Sequence, residues 1–408
     1  MEKVNRKLNK NLFYFLLALA LLRPSLDIFS RIELQIHSSL PSFNLNVFIG
    51  GLVFLILSIF CLWNIKKIYS TPIFWSISIF LGLSFASIFY SIDSSNSLRE
   101  FIRLASIFLL YFLAYQLIEN RKDFYLLLKI ILFSYILPGI VALIQLIGGW
   151  GLPDDFGGFQ RIYGTFAHPN PFAFYTFFIL ALTLSLLLIN KEKNKSWVIQ
   201  NPYFLPVVAI TFLLIATYTR SAIVCFFIFI FFFGIFKYRK LLIFGLLFFL
   251  GLYFFSDIFR ERLWELISLD PYGSIVWRFR LWRDMLPISL WQPWFGYGLD
   301  TFTNIVEYYR GFELGSLDPH NDYLKIFVEN GILGLLSYLA IIIGLLINLI
   351  KIFRKNINQE KIFALSFLII VLSLSAASSF DNILRETALQ WNLWILLGAW
   401  LKINSAIG

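Results

Sequence analysis

Long runs of apolar residues, separated by short polar stretches, dominate the pattern of this chain. The runs are about 15–21 residues long, the length that a helix needs to cross the hydrocarbon core of a bilayer. Strands of a membrane barrel would instead be about 10 residues long and would alternate apolar with polar positions. The sequence lacks that alternation, so its pattern predicts membrane-spanning helices.

The runs predict an all-α integral membrane protein with about twelve transmembrane helices, arranged as one polytopic domain over residues 1–408. The eighth and ninth runs are short, but the basic cluster at 237–240 separates them, and such a cluster is not expected in mid-bilayer. The predicted spans are 11–29, 46–64, 72–90, 98–117, 124–148, 171–190, 200–217, 221–236, 241–255, 331–350, 362–379 and 388–403.

The basic residues predict the orientation of the chain. Lysines and arginines collect in every second loop, and twelve spans put all of these loops on one face, which the positive-inside bias makes cytoplasmic. Both termini are therefore expected in the cytoplasm. The basic residues of these loops include Lys3, Arg6, Lys66, Lys67, Arg121, Lys122, Lys191, Lys193, Lys195, Lys351, Arg354, Lys355 and Lys402.

The composition agrees with lipid as the solvent. Of the 408 residues, 59% are hydrophobic and 14% are charged, whereas a soluble domain has about 25% charged residues. The net charge of +10 could indicate nucleic acid, but the lysines lie in short loops between apolar runs. Membrane lipids, and no nucleic acid, are therefore the expected partners. Cys61 and Cys225 both fall inside apolar runs, so no disulfide framework is expected.

The opposite face differs because its cations are mostly arginines. Its longest segment is a predicted helical extracytoplasmic loop over 256–330, between the ninth and tenth spans. Positive-inside bias disfavours charges here, so their presence indicates a function. The rigid five-donor guanidinium suits carboxylates and phosphates, whereas lysine is a solvated point charge. From 256 to 320 the basic residues are Arg260, Arg262, Arg278, Arg280, Arg283 and Arg310.

Four polar segments share this face and predict a site where they meet. They are 161–170, 218–221, 277–302 and 318–331. The third contains Arg-x-x-Leu-Trp and then Pro-x-x-Gly-x-Gly, and the fourth contains His-Asn-x-x-Leu and then Glu-x-Gly. As an ordered set between about 160 and 340, these motifs resemble the O-antigen ligase and polymerase family, which are integral-membrane glycosyltransferases of the GT-C type.

The resemblance implies a site on the outer face of a bacterial cytoplasmic membrane. Family members transfer an oligosaccharide or polysaccharide from a polyprenyl (undecaprenyl) pyrophosphate carrier to an acceptor hydroxyl, without a metal or other cofactor. The acceptor is a lipid A core, a growing glycan or a protein, and the sequence leaves all three open. By this resemblance Arg220 and Arg278 bind the pyrophosphate, and His320 acts on the acceptor or the leaving group.

The chemistry of these residues fits those roles. Cleavage of a sugar–pyrophosphate bond leaves negative charge on the diphosphate, and preorganised donors aimed at such charge are usually the largest catalytic contribution. The attacking hydroxyl must lose a proton, and a histidine in water titrates at about pH 6.5, which suits a general base. Of the three histidines, His320 follows Asp318-Pro319, a pair that predicts the start of a helix.

Each of these residues also has a plainer interpretation. Arg220 could anchor its helix to lipid headgroups, and His320 could cap a loop. Arg278 could form a surface salt bridge, and its neighbour Arg280 makes the assignment of the phosphate ligand ambiguous.

Further residues are predicted to bind substrate because they lie beside the principal ones or on the same outer face. They are Arg161, Asn170, Arg280, Arg99, Arg103 and Asn321. Arg99 and Arg103 lie four apart, hence on one helix face. Asp93, Glu100 or the pyrophosphate could pair with them.

A transporter, such as a flippase of lipid-linked oligosaccharides, is the alternative function. A transporter is expected to carry charges near mid-membrane and to show internal repeats with broken helices. The spans here are nearly free of mid-span charges, which favours the enzyme. The aromatic residues of the long loop could stack on sugar rings or form an interfacial belt.

Overall fold

The apolar runs fold into helices in the computed structural model, which describes residues 2–31, 33–34, 43–153, 159–194, 198–268 and 273–405. His37, one of the three histidines, lies outside the described residues. Where the chain is described, the helices are α1 Glu2–Leu26, α2 Leu45–Trp63, α3 Ile65–Ile68, α4 Phe74–Ser87, α5 Ser94–Leu117, α6 Arg121–Phe133, α7 Ile136–Gly148, α8 Pro169–Asn194, α9 Phe204–Ala216, α10 Arg220–Phe236, α11 Lys240–Phe255, α12 Asp257–Ser268, α13 Ser274–Ser289, α14 Phe302–Tyr309, α15 Asp322–Lys355, α16 Asn358–Ala377 and α17 Thr387–Ile403.

Shorter elements join these helices. Helices of the 3₁₀ type occupy Asp27–Arg31, Val198–Gln200 and Ile383–Arg385. Two antiparallel strand pairs have two residues per strand: β1 Glu33–Leu34 with β2 Phe43–Asn44, and β3 Leu152–Pro153 with β4 Gln160–Arg161.

Each predicted span coincides with a helix, although some are divided. The fifth, predicted as one helix over 124–148, consists of α6 and α7 with an interruption at Ser134 and Tyr135. The tenth begins at a break inside α15, where Gly331 has φ 66° and ψ −169°. Within the described residues, seven helical segments are long and apolar enough to cross a membrane when α6 and α7 are counted as one, and four shorter helices are apolar. The chain is thus a mostly helical membrane protein, and the count of twelve crossings stays a prediction.

Polar caps set where several helices begin. Asp93 accepts a hydrogen bond from the backbone N–H of Asn96 at the start of α5, and Asn120 does the same for Asp123 at the start of α6. Such side chains satisfy N–H groups that have no partner in the first turn of a helix. The polar stretches between the apolar runs therefore start the next helix as well as separate the runs.

The interior of the bundle contains α5, α8 and α17. All residues of α17 from Ala388 to Leu401 are buried, and its Trp394 ring centre lies 4.9 Å from that of Phe108 on α5. The two helices approach closely at Gly398, where a Cβ would lie 2.5 Å from the carbonyl oxygen of Tyr111. Small residues at such contacts are typical of packing between membrane helices.

The peripheral helices expose apolar side chains. On α2, Leu55 and Ile59 are more than half exposed, and so are Phe244 and Leu247 on α11. Soluble monomers rarely show continuous apolar surface of this extent, whereas lipid accommodates it. The burial pattern therefore supports the membrane assignment made from the sequence.

The segment between α11 and α15 has a small apolar core of its own. Trp277, Leu281 and Met285 lie on one face of α13 and pack with Phe302 and Ile305 of α14. The first two turns of α15 complete this cluster. The predicted loop therefore contains packed helices where it is described, and its position outside the membrane stays a prediction.

The Pro-x-x-Gly-x-Gly segment is hydrogen-bonded to the backbone beside the break in α15. The backbone N–H of Tyr297 donates to the carbonyl of Val328 at 2.9 Å. Gly331 has φ 66°, and a Cβ there would lie 2.3 Å from backbone atoms of Trp294. Only glycine combines that conformation with that approach. The glycines of the two motifs therefore join the segment between α11 and α15 to an apolar helix.

The helix expected after Asp318-Pro319 begins later than the sequence predicts. Asn321 is the N-cap of α15, and its Oδ1 accepts a hydrogen bond from the N–H of Leu324 at 3.0 Å. His320 has φ 46°, a left-handed conformation that cannot continue a right-handed helix. The prediction of a helix start at Asp318-Pro319 was therefore wrong, and His320 lies in the turn that precedes the helix.

Candidate active site

Arg220 is presented by a tight turn between α9 and α10. It is the first residue of α10, and Tyr218 just before it has φ 51°. Arg161 holds this turn, because its Nε donates to the Thr217 carbonyl and its Nη2 to Thr219 Oγ1, both at 2.9 Å. Arg161, predicted to bind substrate, thus supports the turn that carries Arg220.

Arg220 and Arg278 converge on the first turns of α13. Arg220 Nη2 donates to Ser274 Oγ at 2.5 Å, although the two residues are 54 positions apart in the chain. Ser274 and Arg278 are four residues apart, so their side chains leave the same face of α13. Two guanidinium groups therefore lie near one helix N-terminus, an end that no side chain caps.

Arg278 has no carboxylate partner among the described residues. Its guanidinium carbon lies 5.3 Å from the centre of the Trp277 ring, and its buried Nε has no hydrogen-bond partner within the described part of the chain. Burial lowers the pKa of Arg278, and nearby Asp381 offsets part of this effect. Because an arginine stays charged at neutral pH, this half-buried cation is suited to bind an anion.

Asp381 is the acidic centre of the site, although no motif points to it. Its Oδ2 accepts hydrogen bonds from Ser221 Oγ at 2.9 Å and from Asn170 Nδ2 at 3.2 Å. Burial raises the pKa of Asp381, but His320, Arg278 and Ser221 more than offset this, so the pKa lies below its ordinary value. The carboxylate is therefore negatively charged at neutral pH.

His320 is held in a conformation that is unfavourable for a residue with a side chain. A φ of 46° costs roughly 1–3 kcal/mol and persists only where the surroundings impose it. Here Trp282 Nε1 donates to the Pro319 carbonyl at 2.7 Å, and Arg385 Nη1 donates to Asp318 Oδ2 at 2.8 Å. These contacts fasten the backbone immediately before His320.

The imidazole of His320 faces Asp381 with one nitrogen. Nδ1 is buried and lies 3.5 Å from Asp381 Oδ1, longer than the usual hydrogen bond of about 2.7–3.2 Å. The two atoms are therefore close but are not hydrogen-bonded. Trp277 packs edge-to-face on the imidazole, with ring centres 5.6 Å apart. The Asp381 carboxylate is therefore on the Nδ1 side of the imidazole.

Asn170 also belongs to this cluster, as a bridge rather than as an open ligand. Its Oδ1 accepts a hydrogen bond from Arg161 Nη2 at 3.0 Å, while its Nδ2 donates to Asp381. Asn170 therefore links the turn before α10 to the loop after α16.

Arg280 and Arg99 lie apart from the cluster. Arg280 is two residues beyond Arg278, about 200° further around α13, and its side chain is exposed. Arg99 is exposed near the start of α5. The side on which α13 packs thus distinguishes Arg278 from Arg280, which the local sequence could not do.

Arg103 lies in a separate polar cavity between α5, α15 and the last 3₁₀ helix. Its Nε donates to Glu100 Oε2 at 2.7 Å, and its Nη1 donates to the Leu384 carbonyl at 2.8 Å. Lys325 in the same cavity lies 3.2 Å from Asp300 Oδ1. These cations are already paired, so they stabilise the contact between elements. Of the partners expected for Arg103, the structure has Glu100.

The sequence contains a weak signal for Asp381. The residue lies between two apolar runs, in a loop that the predicted orientation puts on the arginine-rich face. Several other acidic residues share that face, however, and no motif separates Asp381 from them. Only the packing of α16 beside α8 and α10 brings this carboxylate to Ser221 and Asn170.

Comparison with known proteins bears on the segment that contains these residues. None of the curated proteins matches the chain. Residues 205–339 match a family model described as O-antigen ligase. The matched segment includes Arg220, Arg278 and His320, and it ends before Asp381. The match supports the resemblance seen in the ordered motifs, and the matched segment carries the two arginines and the histidine.

Proposed function

We propose that this chain is a glycosyltransferase that moves a glycan from a polyprenyl pyrophosphate carrier to an acceptor hydroxyl. The reaction takes place on the outer face of a bacterial cytoplasmic membrane, with both termini inside and the polyprenyl chain in the bilayer. A growing glycan, a lipid A core and a protein are the candidate acceptors. The family match and the apolar helices support this proposal.

The observation that carries the proposal is the guanidinium of Arg278 near Arg220, because no carboxylate among the described residues forms an ion pair with it. A half-buried cation that forms no direct ion pair is unfavourable unless a ligand supplies further negative charge. The diphosphate of the donor would supply it, because its oxygens match the fork of N–H donors on an arginine. Arg220, near the same helix end, would bind the second phosphate.

His320 is proposed as the general base. A new bond forms between the acceptor oxygen and the anomeric carbon, and the bond from that carbon to the diphosphate breaks. The hydroxyl proton passes to Nε2 of His320, and the polyprenyl pyrophosphate leaves with the bonding electron pair. Asp381 would stabilise the imidazolium that forms, while Arg220 and Arg278 stabilise the charge on the leaving group.

Hydrogen bonds from the two arginines to the diphosphate are strong enough to accelerate the reaction substantially. A hydrogen bond to a charged group contributes about 1.5–3 kcal/mol. Two such bonds that are stronger in the transition state than in the ground state would lower the barrier by about 3–6 kcal/mol, which corresponds to roughly 10²–10⁴-fold in rate.

The test is glycan transfer by the purified protein in liposomes. The assay supplies polyprenyl pyrophosphate-linked oligosaccharide and each candidate acceptor, and it compares the wild type with His320→Ala. Arg283→Ala, at an exposed arginine of the same helix as Arg278, is the control for insertion and overall charge. Product is expected from the wild type and the control but not from His320→Ala. Movement of the donor between leaflets without any product would replace this proposal with a transporter.

A further inference from the structure

Helix α13 contacts residues at the ends of several apolar helices. With 16 residues, it is about 24 Å long. Its first residue, Ser274, accepts the hydrogen bond from Arg220 at the start of α10. One turn beyond Arg278, the ring of Trp282 lies 5.8 Å from that of Phe380, just past the end of α16. The first half of α13 therefore contacts the start of α10 and the segment just past the end of α16.

The other end of α13 also contacts residues at the ends of apolar helices. In the turn that follows the helix, the Pro293 carbonyl accepts a hydrogen bond from Ile332 N at 2.7 Å. Ile332 is the first residue after the break in α15. The Phe295 carbonyl accepts a hydrogen bond from the hydroxyl of Tyr90, just past the end of α4. Because both ends contact the ends of apolar helices, α13 runs along the rim of the bundle.

One face of α13 and the turn after it expose an apolar stripe. Its members are 48–64% exposed: Phe279, Leu286, Leu290, Trp291, Trp294 and Phe295. The exposed arginines Arg280 and Arg283 lie beside the stripe. Aromatic and aliphatic side chains next to arginine are the composition of a helix that lies in the interface of a bilayer.

We propose that α13 and the turn at 290–295 are an interfacial anchor, with the apolar stripe inserted in the outer leaflet. The occupant of this surface is lipid, because the stripe continues directly into the lipid-facing surface of α15. The backbone N–H of Leu333 contacts the Trp294 carbonyl at 3.4 Å, and Leu336, one turn further, is 55% exposed. Arg280 and Arg283 would reach the lipid phosphates.

The anchor has a consequence for the candidate active site. Arg278 lies on the side of α13 that faces Asp381 and His320, so the anchor would hold its guanidinium at the depth of the lipid phosphates. A diphosphate attached to a lipid chain resides at the same depth. The insertion itself follows from the surface of α13 alone and does not depend on the proposed reaction.

The test measures depth with nitroxide labels on the full chain in liposomes. Leu286→Cys and Leu290→Cys carry the label, and the unsubstituted chain is the blank, because Cys61 and Cys225 are buried. Leu336→Cys is the control for lipid. Tyr308→Cys, at an 81% exposed position of α14, is the control for water. Collisions of each label with oxygen, which concentrates in lipid, are compared with collisions with a water-soluble nickel chelate.

The expected result is an oxygen-to-nickel ratio at positions 286 and 290 that is several-fold above that at 308 and approaches that at 336. A ratio equal to that at 308 would overturn the proposal, since the stripe would then face water. Dipolar broadening between labels on different molecules would also overturn it, because the stripe would then be covered by a second copy of the chain. Both substitutions are at exposed positions.

Discussion

At the scale of single residues, the site depends on which charged groups already have partners. Arg161 and Arg103 each donate hydrogen bonds that hold neighbouring segments together. Arg278 has no carboxylate partner among the described residues and lies near Asp381 and Trp277. Arg161 and Arg103 thus stabilise contacts between segments, whereas Arg278 is a candidate ligand for an anion.

Arg278→Ala is expected to lower glycan transfer at least about 100-fold, because two charged hydrogen bonds to the diphosphate would be lost. Arg278→Lys should also be strongly impaired, since the planar fork is lost while the charge remains. Initial rates in liposomes measure both. Arg280→Ala is the matched comparison and should retain most of the activity, because its side chain faces away from the cluster. A larger loss in Arg280→Ala than in Arg278→Ala would reverse the assignment.

Asp381→Asn keeps the shape of the side chain and removes its charge. We expect kcat to fall about 10–100-fold, because a charged contact to the imidazolium contributes about 1.5–3 kcal/mol. Binding of the donor should not weaken, since the variant removes a negative charge near Arg278. Donor affinity measured apart from turnover separates the two effects. An unchanged kcat would exclude Asp381 from the proton transfer.

At the scale of elements, α13 determines the spacing between the arginines and the histidine. Arg278 lies on this helix, and Trp282, one turn further, donates to the Pro319 carbonyl next to His320. The Arg-x-x-Leu-Trp motif therefore contains three residues with different tasks. Arg278 is the candidate ligand, Leu281 belongs to the apolar core, and Trp282 donates the hydrogen bond to the turn that holds His320. Its Leu281 is 1% exposed in the apolar cluster with α14.

Trp282→Phe tests the hydrogen bond from Trp282 to the Pro319 carbonyl, because the variant lacks the N–H donor and keeps an aromatic ring. A hydrogen bond of this type contributes about 0.5–1.5 kcal/mol, so we expect kcat to fall roughly 2–12-fold. The KM for the donor should hardly change, because Trp282 does not belong to the arginine pair. Trp264→Phe, at an exposed tryptophan on α12, is the control. An equal decrease in both variants would mean that Trp282 has no specific positioning role.

At the scale of the whole molecule, the segment between α11 and α15 meets the bundle of apolar helices at the break in α15. Gly331 is the residue on which this junction depends, because it combines a left-handed backbone with close contact to Trp294. The same helix therefore belongs to both layers, and the break changes its direction between them.

Gly331→Ala is expected to destabilise the protein by more than 1 kcal/mol, since its Cβ would overlap backbone atoms. Thermal unfolding in detergent should show a lower Tm. Gly251→Ala is the matched control: no atom lies within 4 Å of its Cβ, and alanine favours a helix by about 1 kcal/mol over glycine. Equal Tm values for the two variants would show that the junction tolerates a side chain.

The whole reaction is also expected to proceed without a metal ion, because the arginines supply the positive charge that a divalent cation would otherwise provide. Transfer by the reconstituted protein should therefore continue at an undiminished rate in excess chelator. Inhibition by the chelator that added Mg²⁺ reverses would contradict this mechanism.

The helices could be predicted from the amino-acid sequence, because the length and polarity of each apolar run are local properties that the bilayer selects. It also identified Arg220, Arg278 and His320 as candidates through ordered motifs. The structure was needed to place Arg278 near Asp381 and Arg280 at the surface, because a single sequence does not specify which side of α13 packs inward. Asp381 likewise became part of the site through the packing of α16, since its partners Asn170 and Ser221 are 211 and 160 positions away. A contact at such separation depends on how the helices pack together, and no local pattern of residues records it.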